Sequence, residues 1–222
     1  MGSELDDDKI KDAEYLVLLI LGKSGGKISI LHLQKVFFFL WKFHPEIRKL
    51  VDFVAHLKGP YSSDLENLIK NPYYLSRCWR YLPPGKTEAE KVKGGYLEIT
   101  DNGWRIYARL EKGLKEKAKN DEGALALKTG VDLIVPLYTR LEWDELLLLL
   151  YTDETNKKYS IKSELSNKII RNSHRIIDNL ISKGVIPGEK RESLVKRVAV
   201  SYTHLRAHET SLHLVCRLLL EK

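Results

Sequence analysis

Apolar residues crowd one stretch of the chain, Lys27–Phe43 (KISILHLQKVFFFLWKF). Ile30, Leu33, Phe37, Leu40 and Trp41 recur at helical spacing, and Leu31, Val36, Phe38, Phe39 and Phe43 widen that face until it covers most of the circumference. A helix that is apolar nearly all round is buried on several sides, so this segment is expected to be the hub of an N-terminal domain. Ser29 is placed to cap it, because its hydroxyl can accept one of the unpaired N–H groups of the first turn. His44-Pro45 stops it, since the residue before proline is pushed out of the α region.

Either side of the hub the pattern continues. Ile10, Ala13, Val17 and Ile20 mark an apolar stripe that predicts a helix over Lys9–Leu21, with Gly22 as its stop. Lys27–Ser29 reads as a short edge strand. Ile47, Leu50 and Val51 predict a short amphipathic helix over Glu46–Phe53, and Phe53–Leu57 reads as extended. Gly59-Pro60 signals a turn. Ser62 or Ser63 then caps a helix over Asp64–Lys70, whose Asp64 and Glu66 suit the positive end of its dipole, and Asn71-Pro72 ends it. Tyr73–Gly95 is irregular, punctuated by Pro83-Pro84-Gly85 and Gly94-Gly95. Tyr96–Ile99 alternates as a strand does, and Thr100-Asp101 opens a helix that loses its apolar stripe after Leu114.

Helix, strand, two helices, a loop with proline and glycine, a strand and a helix is the order of a winged helix-turn-helix. The expected fold class is therefore mainly α: a winged-helix-like N-terminal domain with a small β-hairpin over 1–120, followed by an all-helical C-terminal part over 121–199. In that second part Gly123–Leu137 is apolar up to Pro136, Glu142–Tyr151 contains five consecutive leucines, and Ser160 or Ser163 opens Glu164–Arg171. Ser173–Lys183 is amphipathic on Ile176, Ile177, Leu180 and Ile181, with Gly184 beyond its end.

Composition narrows the class. The chain of 222 residues is 43% hydrophobic and 30% charged, an ordinary globular balance. Its apolar runs, such as Tyr15–Leu21, fall far short of the ~20 residues needed to cross a bilayer. The acidic start MGSELDDDK is not a secretory signal, and Cys78 and Cys216 have no paired spacing. A cytoplasmic protein with no membrane partner is expected. A net charge of +7 and a pI near 9.2 suit a polyanion partner such as double-stranded DNA.

Candidate chemistry is sparse. GKSGGK (Gly22–Lys27) invites comparison with a phosphate loop, but Lys27 is followed by Ile28 rather than Ser or Thr, and a helix precedes it. His32, His44, His56 and His174 are scattered, and no nucleophile–His–carboxylate set has an anchor motif. Asp144 and Glu145 open a helix and read as dipole partners. No catalytic, cofactor or metal residues are expected. For DNA, the helix over Ser62–Lys70 carries only Lys70 against Asp64 and Glu66. The wing is more basic, with Arg77, Arg80, Lys86, Lys91 and Lys93.

Three short pieces carry a family likeness: LQKVFFFL (Leu33–Leu40), F-x-A-H-x-x-GPYS (Phe53–Ser62) and LEITDNG (Leu97–Gly103). In order and spacing they resemble the Panacea/SocA-type superfamily and its YwgA-like prokaryotic relatives, over roughly residues 10–110. WDELLLLLYTD and NLISKGVI also look like the C-terminal part of such proteins, with Pro187 standing where serine is common. The resemblance implies a compact winged-helix-like domain and a role as antitoxin, proteolytic adaptor or regulator, with no catalytic residues to transfer. It leaves two functions open: a DNA-binding transcription regulator, or an interaction module that sequesters a partner protein such as a toxin. The GPYS turn, Gly59, Pro60, Tyr61 and Ser62, reads as structural: glycine for an unusual backbone angle, proline for a fixed φ, tyrosine to pack with its hydroxyl paired.

The last residues read differently. Val200–Thr210 (VSYTHLRAHET) and His213–Lys222 (HLVCRLLLEK) resemble the translation of a transposase-based sequencing adapter. Residues 200–222 are accordingly expected to be non-native, with the natural continuation lost near Ala199, and their removal is expected to cost little stability. This discounts the His204/His208 spacing as a metal motif, and the net charge falls by one without them.

Overall fold

Asp7 and Asp8 occupy the first turn of helix α1 (Asp7–Lys23), where their charge suits the exposed N–H groups of the helix start. In the computed structural model, which describes residues 7–56, 58–152 and 165–198, this helix does not stop at Gly22. A Cβ at Gly22 would lie 2.3 Å from the Tyr107 ring, so the glycine serves close packing inside the helix. The turn is made instead by Gly25 and Gly26, with φ of 84° and 87°, a region that glycine enters without steric penalty. The following strand β1 (Lys27–Ser29) thus comes after a helix and a turn, the reverse of the strand-then-helix setting a phosphate loop needs.

Helix α2 (Ile30–Phe43) is the hub. Ser29 caps it, accepting from the His32 N–H at 3.2 Å, and every residue from Ile30 to Leu40 is buried. Phe38 and Trp41 meet Phe53 edge-on, with centroids 5.2 and 5.7 Å apart, and Phe39 stacks on Tyr138 at 4.1 Å. Phe43, expected to widen the apolar face, is 72% exposed at the helix end. The amphipathic helix expected over Glu46–Phe53 is only a 3-10 turn, Ile47–Lys49. The segment closes down on the end of α2: Trp41 donates to the Val51 carbonyl, and Arg48 donates to those of Trp41 and Lys42.

Strands β2 (Val54–His56) and β3 (Gly59–Tyr61) form a two-stranded sheet. Helix α3 (Ser63–Lys70) follows, capped by Ser62 and closed at Asn71. The segment expected to be irregular contains a strand, β4 (Trp79–Leu82), and a short helix, α4 (Glu88–Lys93). Thr87 and Glu90 make a complete capping box for α4, and Gly94 ends it in the left-handed region. Strand β5 (Tyr96–Ile99) runs antiparallel between β1 and β4. The order α1-β1-α2-α3-β4-β5, with sheet order β1-β5-β4, is a winged-helix arrangement in which α4 sits within the wing.

Helix α5 (Asp101–Lys117) starts at Thr100, which caps it and donates its own hydroxyl to the Arg77 carbonyl at 2.6 Å. Helix α6 (Glu122–Thr139) packs on α1, α2 and α5, with Pro136 in its last turns. The compositional change near 120, where a domain break is expected, is therefore the turn between α5 and α6. One compact unit comprises Met1–Val54 with Pro60–Trp143, and the other Ala55–Gly59 with Asp144–Lys222. Glu14, on α1, is fully buried and gathers three backbone N–H groups: Tyr73 at 2.5 Å, Tyr74 at 2.9 Å and Leu75 at 2.6 Å.

In the second unit the described residues form α7 (Trp143–Thr152, assigned to that unit from Asp144), α8 (Ser166–Arg171) and α9 (Ser173–Ser182), then helical residues over 191–198. Leu146, Leu147, Ile169, Ile176, Ile177 and Leu180 are buried. The buried Glu145 accepts from Lys183 at 2.6 Å, and Gly184 takes the left-handed angle expected after the helix. The opening serines Ser160 and Ser163, and the tail 200–222, lie outside the described residues.

Candidate functional site

In a winged helix the third helix is the one laid into a DNA groove, and here that helix is α3. Its surface carries Asp64 and Glu66 in the first turn and Lys70 in the last. Lys70 Nζ lies 2.5 Å from Glu66, which also accepts the Tyr61 hydroxyl at 2.5 Å. Burial and the adjacent Glu66 push the Tyr61 hydroxyl up to about 12. The hydrogen bond to Glu66 raises the Lys70 ammonium as well. The one cation of α3 is thus held by its own helix.

The wing residues divide. Arg80 projects from β4 and pairs with Glu98 of β5 at 2.5 Å, and Lys27 of β1 lies 4.0 Å from the same carboxylate. The register explains this: Lys27, Glu98 and Arg80 occupy one rung across all three strands. Arg77 and Lys86 are exposed on loops. Lys91 is exposed on α4, whereas Lys93, the last residue of that helix, lines a cavity. Of the six cations singled out from the sequence, Lys70 and Arg80 are thus each held by a glutamate, and Lys93 lines the cavity.

The family-like pieces meet each other. Gln34 donates to the Ser62 carbonyl at 2.9 Å and accepts the Ser62 N–H at 3.1 Å, so its amide pairs with the backbone as a neighbouring strand would. The buried Lys35 donates to the Pro60 carbonyl at 2.5 Å. Gly59 has φ of 82°, and Ser62 caps α3 through the Leu65 N–H. In the third piece, a Cβ at Gly103 would lie 2.0 Å from the Cys78 carbonyl oxygen. These contacts hold α2 against the β3 turn and α5 against Cys78, just before β4, and each partner is a main-chain group.

Two features escaped the sequence reading. One is an exposed stripe on α5, where Arg105, Arg109 and Lys112 recur at i, i+4 and i+7. That spacing is visible in the sequence and puts three cations on one helical face. The other is a cavity of about 310 Å³ at the start of α2, lined by Lys27, Ser29, His32, Lys93, Arg140 and Glu142 among others. His32 is pinned there: its Nδ1 accepts from the Ser29 hydroxyl at 2.6 Å and its Nε2 donates to the Leu141 carbonyl at 2.8 Å, the tautomer in which both contacts are satisfied. Burial lowers the imidazole below its usual range, opposed by the bond to Leu141 and aided by Lys93 and Lys35. With no carboxylate on Nε2 and its hydroxyl partner serving as a helix cap, the Ser29–His32 pair is a structural lock.

No protein-family model matches the chain, and no curated protein does. Among the described residues no helix is long and apolar enough to cross a membrane.

Proposed function

We propose that this chain is a non-enzymatic regulatory protein that acts by binding another protein, in the manner of an antitoxin or adaptor. The observation that carries this is the surface of α3, with Asp64 and Glu66 outward and Lys70 already held by Glu66. Approach to a phosphate backbone rewards dense, available Lys and Arg, and an acidic helix opposes it. The resemblance to the Panacea/SocA-type superfamily supports the same reading, since antitoxin and adaptor roles are what it implies.

A DNA-binding regulator is the second reading, and a separate observation favours it: the exposed Arg105, Arg109 and Lys112 on α5, with Arg77 and Lys86 on loops. One pair of measurements separates the two. The tagged chain is purified with the product of its neighbouring gene after nuclease treatment, and the pure chain is titrated against mixed duplex DNA at two salt concentrations. A stoichiometric protein partner without low-salt DNA binding is expected. Tight, salt-sensitive DNA binding with no protein partner overturns the first reading in favour of the second.

A further inference from the structure

We propose that the cavity at the start of α2 is a binding site for a small phosphomonoester. Three cations reach its wall from three separate elements: Lys27 from β1, Lys93 from the end of α4, and Arg140 from the turn after α6. Lys27 is shared with Glu98 at 4.0 Å, and Lys93 and Arg140 form no ion pair among the described residues. The acid among the lining residues is Glu142, so the wall has an excess of positive charge.

Like charges converging on a concave surface repel one another, and an anion between them relieves this. The floor adds to the attraction. Ser29 is the N-cap and His32 lies in the first turn of the 14-residue helix α2, whose N-terminal end carries partial positive charge. The floor is also fixed, because His32 bridges the Ser29 hydroxyl and the Leu141 carbonyl. A phosphomonoester brings close to two negative charges and three acceptor oxygens, which three cations from different directions can share. A lone carboxylate leaves the excess partly unbalanced. The cavity volume of about 310 Å³ is at the lower end for organic ligands and is more than a bare phosphate fills, so an organic group of modest size is accommodated. The site is separate from the face of α3 and does not depend on which partner the protein binds.

The test uses the full chain and AMP as probe, in titration calorimetry at low salt, with adenosine as the uncharged control and inorganic phosphate as competitor. AMP is expected to bind, adenosine not, and inorganic phosphate to displace AMP. Lys93→Ala and Arg140→Ala are each expected to weaken AMP roughly tenfold or more, the effect of losing one charged hydrogen bond. Arg105→Ala, a cation outside the cavity, is expected to leave the affinity unchanged. Should an alanine variant fail to fold, Lys93→Gln and Arg140→Gln carry the same comparison. Absence of AMP and phosphate binding at millimolar concentration overturns the proposal, as does equal binding of adenosine. An equal loss in Arg105→Ala would show a diffuse surface effect and overturn it too. Displacement of AMP by duplex DNA at far lower concentration would assign the cavity to nucleic acid instead.

Discussion

Replacing Glu14 should be the most damaging single polar change in the first unit. Its carboxylate is fully buried on α1 and is the acceptor for three consecutive backbone N–H groups, those of Tyr73, Tyr74 and Leu75. A hydrogen bond to a charged group contributes about 1.5–3 kcal/mol, and a buried donor left unpaired costs about 1–3 kcal/mol. The three bonds are not independent. Tyr73 and Tyr74 are 74% and 40% exposed, so their amides can turn toward water, whereas Leu75 is buried and its amide cannot. Discounting for that relaxation, Glu14→Ala should cost about 3–5 kcal/mol, which for a chain of this size lowers the melting temperature by about 8–15 °C. Glu14→Gln keeps the shape and one acceptor oxygen but sets an NH2 group against a backbone N–H, so it should cost about half as much. Circular dichroism melts of the two variants, with the exposed Asp12→Ala on the same helix as control, give the comparison. Hydrogen exchange at Tyr73–Leu75 should accelerate in both variants. If Glu14→Ala melts within about 3 °C of the parent, or matches Asp12→Ala, the loop does not depend on this carboxylate and the reasoning fails.

Two further expectations concern α5 and His32. Gly103→Ala should destabilise by more than about 3 kcal/mol, because its Cβ would meet the Cys78 carbonyl oxygen at 2.0 Å, whereas Gly113→Ala, with open space around it on the same helix, should stabilise by about 0.5–1 kcal/mol; equal urea midpoints for the two would refute the packing argument. For His32, the folded pKa lies below the unfolded value of 6.5, chiefly through burial. Above 6.5 both states are neutral and the group contributes no pH dependence. Below it the unfolded chain binds a proton that the folded chain refuses, so stability should fall by up to about 1.4 kcal/mol per pH unit as pH drops from 6.5 toward the folded value. Urea unfolding between pH 7.5 and 5 should show this slope in the parent and a shallower one in His32→Gln, and parallel profiles would contradict it.

The elements most legible in the sequence were those set by local rules. The hub helix, its Ser29 cap, the Ser62 and Thr100 caps and the β5 alternation each depend on neighbours a few residues away. Helix α4 was legible in principle: Thr87-x-x-Glu90 is a capping box and Gly94 a left-handed stop, but six residues between prolines and glycines give too short an apolar pattern to register. Strand β4 escaped for a similar reason, since four residues alternate only once or twice. Gly22 misled because a glycine at a helix end and one under an aromatic ring look the same in sequence. The cavity was out of reach. Lys27, Lys93 and Arg140 come from elements far apart along the chain, and only the sheet and the turn after α6 bring them to one place. The motif pieces pointed instead to where the main chain is held together.

The rung of Lys27, Glu98 and Arg80 has a consequence for how the protein behaves in a crowded solution. Because β5 is central, Lys27 and Arg80 stand on the two open borders of the sheet. A second copy of this chain that tried to extend the sheet with its own border strand would bring another Lys27 or Arg80 to that border, and a lysine or arginine there is among the ways proteins avoid polymerising through their sheets. Glu98 offsets one of the two charges, so the rung stays net positive. Swapping Lys27 and Arg80 for valine and threonine would leave the hydrophobic core untouched and still remove this barrier to self-association.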